Sequence, residues 1–325
     1  MHKKMLIHLL LIIGVFSGCT TKIPIKDVTT SQQKYSVGDK AIVELSLINE
    51  LKDKKITEGK FEKVLILEYQ NKDMDGYEFI FNNLKKEIEA RNLPINLVKS
   101  SNSNNNLYLN NFKINSQQTS GFSPLITLTK IKLTLEKDNE KHNIVSVVKR
   151  AKMLMLSITE SYEPLYYQPS SIITQEIVAK LNKAFFNYKL EDNEVKSLIT
   201  LANKQIETKD ELTYLTVYKL GLSNNILALD FIVEHTKPTY PDYIRFASIS
   251  TLGMLGGEKY LGNLMSIYND DRYAWEDKVM ALKSIGDINS KEANNFLEKT
   301  YKILSEKKED FYIKAQKDTI ELYIK

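Results

Sequence analysis

The sequence predicts an α+β amino-terminal domain followed by an all-α domain whose helix pairs stack as a superhelical solenoid. Three observations carry that prediction. Short β-branched and aromatic runs fill most of residues 35–152, strand signals disappear beyond Glu191, and the carboxy-terminal third repeats itself at offsets of 32 and 33 residues. The order of events along the chain divides it into residues 1–18, 19–34, 35–190 and 191–325.

The first of these reads as a signal peptide. His2, Lys3 and Lys4 precede an apolar run from Met5 to Phe16 that is broken only by His8 and Gly14. A membrane-crossing helix needs roughly 20 apolar residues, so this run is too short to span and fits a cleaved secretory leader. It ends in Phe16, Ser17, Gly18 and Cys19, and Cys19 is the only cysteine in 325 residues. With no second thiol to pair with, and at the end of an apolar leader, that cysteine cannot be a core or disulfide residue. The stretch resembles the lipobox of bacterial lipoproteins, with Phe16 where leucine is usual. The resemblance implies cleavage before Cys19, lipidation of its thiol by acyl chains such as palmitate, and a membrane anchor. Each buried methylene of such chains adds about 0.8 kcal/mol. Thr20 comes next where Gram-negative inner-membrane lipoproteins carry aspartate, which implies the periplasmic face of the outer membrane.

Residues 20–34, "TTKIPIKDVTTSQQK", are polar, lack periodicity and read as a tether from the lipid to the first fold. Strands are then expected at Lys40–Ile48 and Lys63–Gln70, the second nearly continuous in apolar residues and therefore central in its sheet. A helix is expected over Gly76–Pro94 with Tyr77, Phe81, Leu84 and Ile88 along one face. "INLVKS" returns as a strand, and "LYLNNFKINSQ", "ITLTKIKLTLEKD" and "HNIVSVVKRAKM" read as an antiparallel set with a turn at Glu136–Lys141. A helix over Ser170–Tyr188, capped by Ser170 or Ser171, closes the domain. The order of elements looks like that of the small α/β domains of envelope lipoproteins.

Beyond it, "RFASISTLGML" from Arg245 aligns with "KVMALKSIGDI" from Lys278, pairing Leu252 with Ile285 and Gly253 with Gly286. An offset of 32 also matches Leu220 and Gly221 to Leu252 and Gly253. Helix pairs are therefore expected near 211–237, 240–270 and 273–305, after a leading helix at 191–208 and before a terminal one. The pattern resembles HEAT repeats of the compact bacterial kind. On that reading each Leu packs between the two layers and each Gly lets the chain leave its helix.

The chemistry available to such a chain is limited. A formal charge of +4, two units of it from Lys3 and Lys4, with acids and bases interspersed, gives no footprint for nucleic acid. Only His142 and His235 remain once the leader is removed, far apart in sequence, which argues against a zinc site or a histidine triad. Asn71, Asp73, Asp75 and Gly76 match the first positions of a calcium loop, but Glu78 and Asn82 break the pattern, and a helix cap by Asp73 or Asp75 explains it better. "TSGFSP" at 119–124 lacks the small-residue elbow of a serine nucleophile. No cofactor or metal is expected.

The aromatics are more informative. Tyr166 and Tyr167 sit between prolines in "EPLYYQP", an expected ordered loop between the domains, where domain packing is the first explanation and a partner patch the second. Tyr240, Tyr243, Tyr273 and Trp275 begin successive repeats and would line one edge of a solenoid as a surface for an envelope protein. The sequence thus points to a non-enzymatic, lipid-anchored scaffold that binds protein. Two alternatives stand beside it: a cell-wall enzyme using Glu68, Asp73 and Asp75, and a lipid or small-molecule carrier with a pocket in the α+β domain. A deep pocket without paired acids would favour the carrier, and a continuous exposed aromatic strip the scaffold.

Overall fold

The computed structural model describes residues 20–38, 41–60, 64–99, 103–120, 122–153 and 158–325. The expected leader, Cys19, and the first residues expected for two strands, Lys40 and Lys63, lie outside that set, as does Gly121 of "TSGFSP". An amino-terminal region of mixed sheets is followed by a helical region, and one hydrophobic core runs through both.

Strands β1 (Thr20–Ile25), β4 (Val64–Tyr69) and β5 (Lys72–Asp73) form a small sheet in which β4 is central, parallel to β1 and antiparallel to β5. The expected tether is therefore corrected. Its first residues are a strand with Ile23 fully buried, and the residues after that strand are held down as well: the Val28 amide donates to Asn83 Oδ1 at 3.0 Å and the Ser31 amide to Glu87 at 2.8 Å. Alternation of polar and apolar residues over only six positions is too brief a signal to separate a strand from a linker. Gln70 and Asn71, at φ of 54° and 62°, make the two-residue turn between β4 and β5. The first residue of the calcium-loop pattern is thus spent on a hairpin.

The larger sheet has the order β6 (Ile95–Val98), β2 (Val43–Asn49), β7 (Asn106–Gln117), β8 (Leu125–Lys137), β9 (Glu140–Lys152), with β3 (Thr57–Lys60) also pairing with β7. β7, β8 and β9 are antiparallel as expected, and Asp138 and Asn139 turn the last hairpin with φ of 54° and 64°. Helix α1 (Gly76–Ala90) is capped by Asp75, whose carboxylate accepts from the amides of Tyr77 at 2.9 Å and Glu78 at 3.2 Å. Its buried side is Phe79, Ile80, Leu84 and Ile88, rotated from the expected face so that Phe81 is only half-buried.

Residues Glu163–Tyr167 are not a loop. They form a π turn that runs straight into α2 (Gln168–Phe185). Ser170 and Ser171 consequently lie inside the helix, where their hydroxyls donate back to the carbonyls of Tyr166 at 2.6 Å and Tyr167 at 3.0 Å.

Eight more helices complete the described residues: α3 (Asp192–Glu207), α4 (Thr213–Gly221), α5 (Leu229–Glu234), α6 (Asp242–Gly256), α7 (Leu261–Asn269), α8 (Trp275–Ile288), α9 (Lys291–Ser305) and α10 (Phe311–Ile324). Helices α4, α6, α8 and α10 lie side by side, with α5, α7 and α9 packed on them. The repeated glycines serve this row in a way different from that expected. Gly253 and Gly286 lie within α6 and α8, and each marks where the next helix comes close. A Cβ would stand 2.1 Å from Thr251 at Gly221, 2.0 Å from the Ser284 carbonyl oxygen at Gly253, and 2.5 Å from the Tyr323 ring at Gly286. The glycine period thus spaces α4 from α6, α6 from α8 and α8 from α10.

Candidate functional site: the cleft between sheet and helices

The row of inner helices meets β8, β9 and α2, and that junction is unusually charged for a buried surface. Lys130 on β8 pairs with Asp318 of α10 at 2.8 Å, and Lys149 on β9 pairs with Glu276 of α8 at 3.0 Å. Between them Glu176 of α2 and Asp287 of α8 share Lys180 and Lys283, with Tyr323 donating to Asp287 at 2.7 Å and Ser146 to Glu176 at 2.6 Å. Isolated buried charges are costly, so such groups occur in pairs.

Six lysines and arginines are buried among the described residues: Arg91, Lys130, Lys149, Arg150, Arg245 and Lys283. Five have a carboxylate within ion-pair distance: Arg91 with Glu87 at 3.0 Å, Arg245 with Asp277 at 2.7 Å, and Lys130, Lys149 and Lys283 as above. Arg150, at 7% exposure, has none among the described residues. Its guanidinium lies against two adjoining rings instead, with its central carbon 4.0 Å from the centre of Tyr214 and 3.9 Å from that of Tyr243. Nε donates to the Pro164 carbonyl in the π turn at 3.2 Å, and Nη1 is buried without a hydrogen-bond partner.

Arg150 lines a cleft of about 960 Å³ formed by the ends of β9 and the π turn on one side and the starts of α4 and α6 on the other. Its walls are largely apolar, through Pro124, Pro164, Pro241, Ile206 and Ile244. Leu212 and Met153 line it while remaining 47% and 42% exposed, and Phe122, two residues from Pro124 on the hairpin tip, is 94% exposed. Tyr243 fixes one wall by bonding both the amide and the carbonyl of Ala151 at 2.9 Å. Tyr214 donates to the Gln168 side chain, and burial pushes its phenol well above the usual tyrosine range. Near the cleft, between its lining residues Glu160 and Pro164, Tyr162 Oη reaches the Lys22 carbonyl of β1 at 3.4 Å.

The six aromatics singled out from the sequence do not come together. Tyr166 is fully buried, and Tyr167 is half-buried with its hydroxyl on the Pro24 carbonyl of β1, so neither forms an exposed patch. Tyr240 packs on His235, ring centres 4.3 Å apart, and donates to Glu234 at 3.0 Å. Trp275 packs on Phe311 and Tyr312, and Tyr273 is half-buried against the core. Only Tyr243 of the six lines the cleft. Arg150 was not legible in the sequence because residues 144–150 are buried on both faces of β9, which erases the alternation that marks an inward-facing arginine. Gln168 likewise lay in an expected loop.

The carboxylates considered for catalysis are engaged or exposed. Glu68 pairs with Lys22 at 2.6 Å, Asp75 caps α1, and Asp73 is exposed on β5. Among the described residues no group of three His, Cys, Asp or Glu could hold a metal ion, and no described helix is long and apolar enough to cross a membrane. Compared with family models, curated proteins and solved structures, the chain matches none.

Proposed function

We propose that this chain is a lipid-anchored protein of the bacterial envelope that acts by binding another protein, and that the binding surface is the cleft beside Arg150. The anchor is the Cys19 lipid, and the helical region is a short HEAT-like solenoid of the pairs α4/α5, α6/α7 and α8/α9 ending in α10. The glycine contacts that recur from pair to pair support the solenoid reading. They also relocate the surface. Among the described residues the inner helices lean on β8, β9 and α2, the sequence-predicted aromatics form no continuous strip along them, and the cleft beside Arg150 is one opening at that junction.

One observation carries the proposal: a largely apolar cleft of about 960 Å³ holds a buried arginine with no carboxylate at ion-pair distance among the described residues, and exposed Met153 and Leu212 line it. Its size falls in the range of ligand-binding clefts, and large exposed apolar side chains at its mouth suit a partner that covers them. A single-residue photo-crosslinker tests it in intact membranes. Placed at Leu212 it should give one discrete protein adduct, whereas at Ile226, 75% exposed and beyond the opposite end of α4, it should give none. Adducts from both positions, or from neither, would remove the cleft as the binding surface.

A further inference from the structure

We infer that the cleft recognises an organic monocarboxylate, held by Arg150 while its carbon chain lies along the apolar walls. This rests on the cleft being the binding surface proposed above, and it names the chemistry bound there.

Arg150 has one edge left to offer. The rings of Tyr214 and Tyr243 lie against its guanidinium, 4.0 Å and 3.9 Å from the central carbon, and Nε is taken by the Pro164 carbonyl. The donors left for a ligand are at the Nη edge, where Nη1 is buried and unpartnered. That edge is a planar fork of donors, which matches the two coplanar oxygens of a carboxylate. The other five buried cations among the described residues all meet a carboxylate of the chain, and Arg150 is left to take one from outside.

Charge around the cleft selects the valence of the anion. Glu160, Asp210, Glu211 and Asp242 line it against Lys152 and Lys209, so Arg150 is a single cation behind an acidic mouth. Two of those acids are already committed: Asp210 accepts from the Leu212 amide at 2.8 Å, and Asp242 pairs with Arg245 at 2.9 Å. Neither can turn inward to satisfy Arg150 without giving up its own bond. A dianion such as a phosphate monoester would meet repulsion from the mouth and find one positive partner inside. A monocarboxylate meets the same partner at half the charge. The apolar walls of Pro124, Pro164, Pro241, Ile206 and Ile244 then require that the rest of the molecule be organic.

Two sources supply this chemistry, the carboxy-terminal end of a peptide chain and a free organic acid. The experiment measures binding to the full chain in detergent micelles by fluorescence anisotropy. Its probes are a labelled pool of tetrapeptides with free terminal carboxylates, the same pool amidated, octanoate as competitor, and inorganic phosphate. The acid pool should bind at least tenfold more tightly than the amide pool, and Arg150→Gln should bring the two together. Arg150→Lys, which keeps the charge but loses the fork, should fall between. Displacement of the acid pool by octanoate at matching concentrations identifies a free acid as the source, and resistance to it identifies a peptide end; either supports carboxylate recognition. Equal binding of acid and amide pools, binding of neither pool, or tighter binding of phosphate than of the acid pool would overturn it. The acid and amide comparison uses the unaltered chain, so it decides the matter even if the Arg150 variants do not fold. A discrete Leu212 adduct together with equal acid and amide binding would overturn the carboxylate and leave the binding surface standing.

Discussion

Lys283 of α8 and Glu176 of α2 are joined by an ion pair in which neither side chain reaches solvent, and the same lysine meets Asp287 at 2.8 Å. Burial pushes the Asp287 carboxyl up, but Lys180 and Lys283 beside it outweigh burial and hold it below the ordinary range. The pair ties the helical region to the sheet region through α2. Removing one partner of a buried pair typically costs about 3–5 kcal/mol because the other charge is stranded. Lys180 stays within 2.8 Å of Glu176 and 2.6 Å of Asp287, so Lys283→Met should fall at the lower end, and adding Glu176→Gln should recover part of the loss. Urea unfolding of the two single variants and the double variant checks this. Strict additivity would show that the charges do not act as a unit.

The glycine row makes a sharper contrast between two substitutions of the same kind. Gly253→Ala drives a methyl against the backbone of Ser284, and overpacking of this sort costs about 1–3 kcal/mol. Gly262→Ala, in α7 with nothing within 4 Å of the added atom, should be neutral or stabilising by up to about 1 kcal/mol. Thermal melts of both should move in opposite directions or differ clearly in size. Equal shifts would mean that α6 and α8 can separate at little cost.

His235, which ends α5, is packed between the rings of Phe231 at 4.0 Å and Tyr240 at 4.3 Å. Burial lowers its imidazole below the ordinary value of 6.5, against the bond from the ring to the Phe231 carbonyl and the nearby Glu234. The folded state therefore prefers the neutral ring. Its contribution is complete above the unfolded value and is lost as pH falls through the folded one. His235→Phe keeps the stack and cannot titrate, so its melting temperature should change less than that of the parent between pH 7.5 and 5.5. An identical pH response would assign the effect to other groups.

Ile23 is fully buried in β1, so Ile23→Ala should destabilise the whole fold by about 2–5 kcal/mol. A tether residue would give no change. Metabolic labelling with palmitate should mark the chain and disappear with Cys19→Ala. Labelling that survives this change would show that the lipid is attached elsewhere.

Periodicity made the long elements legible. The antiparallel set β7 to β9 and the helix pairs of the carboxy-terminal region come from runs long enough to show a period of 2 or 3.6. It failed where burial is two-sided or the run is short. β1 looks like a linker because Lys22 and Pro24 dilute a six-residue strand, and "EPLYYQP" looks like a loop because its two prolines suggest a break although Pro169 sits in the first turn of α2. The site was less legible than the fold. Lys283 and Asp287, four apart in the otherwise mostly apolar second half of α8, were a readable sign of a buried ion pair. Arg150 gave no such sign, since its meaning depends on what it lacks.

The first strand would also decide how the molecule stands on a membrane if Cys19 carries a lipid. With lipid on Cys19, the next peptide unit already belongs to the sheet, paired from Thr20 with Val64. The molecule would then have no leash. It would stand on the bilayer as a brick stands in mortar, with its orientation set by the fold and not by chain entropy. A partner embedded in or lying along that same membrane would meet it in a two-dimensional search, always from the same side.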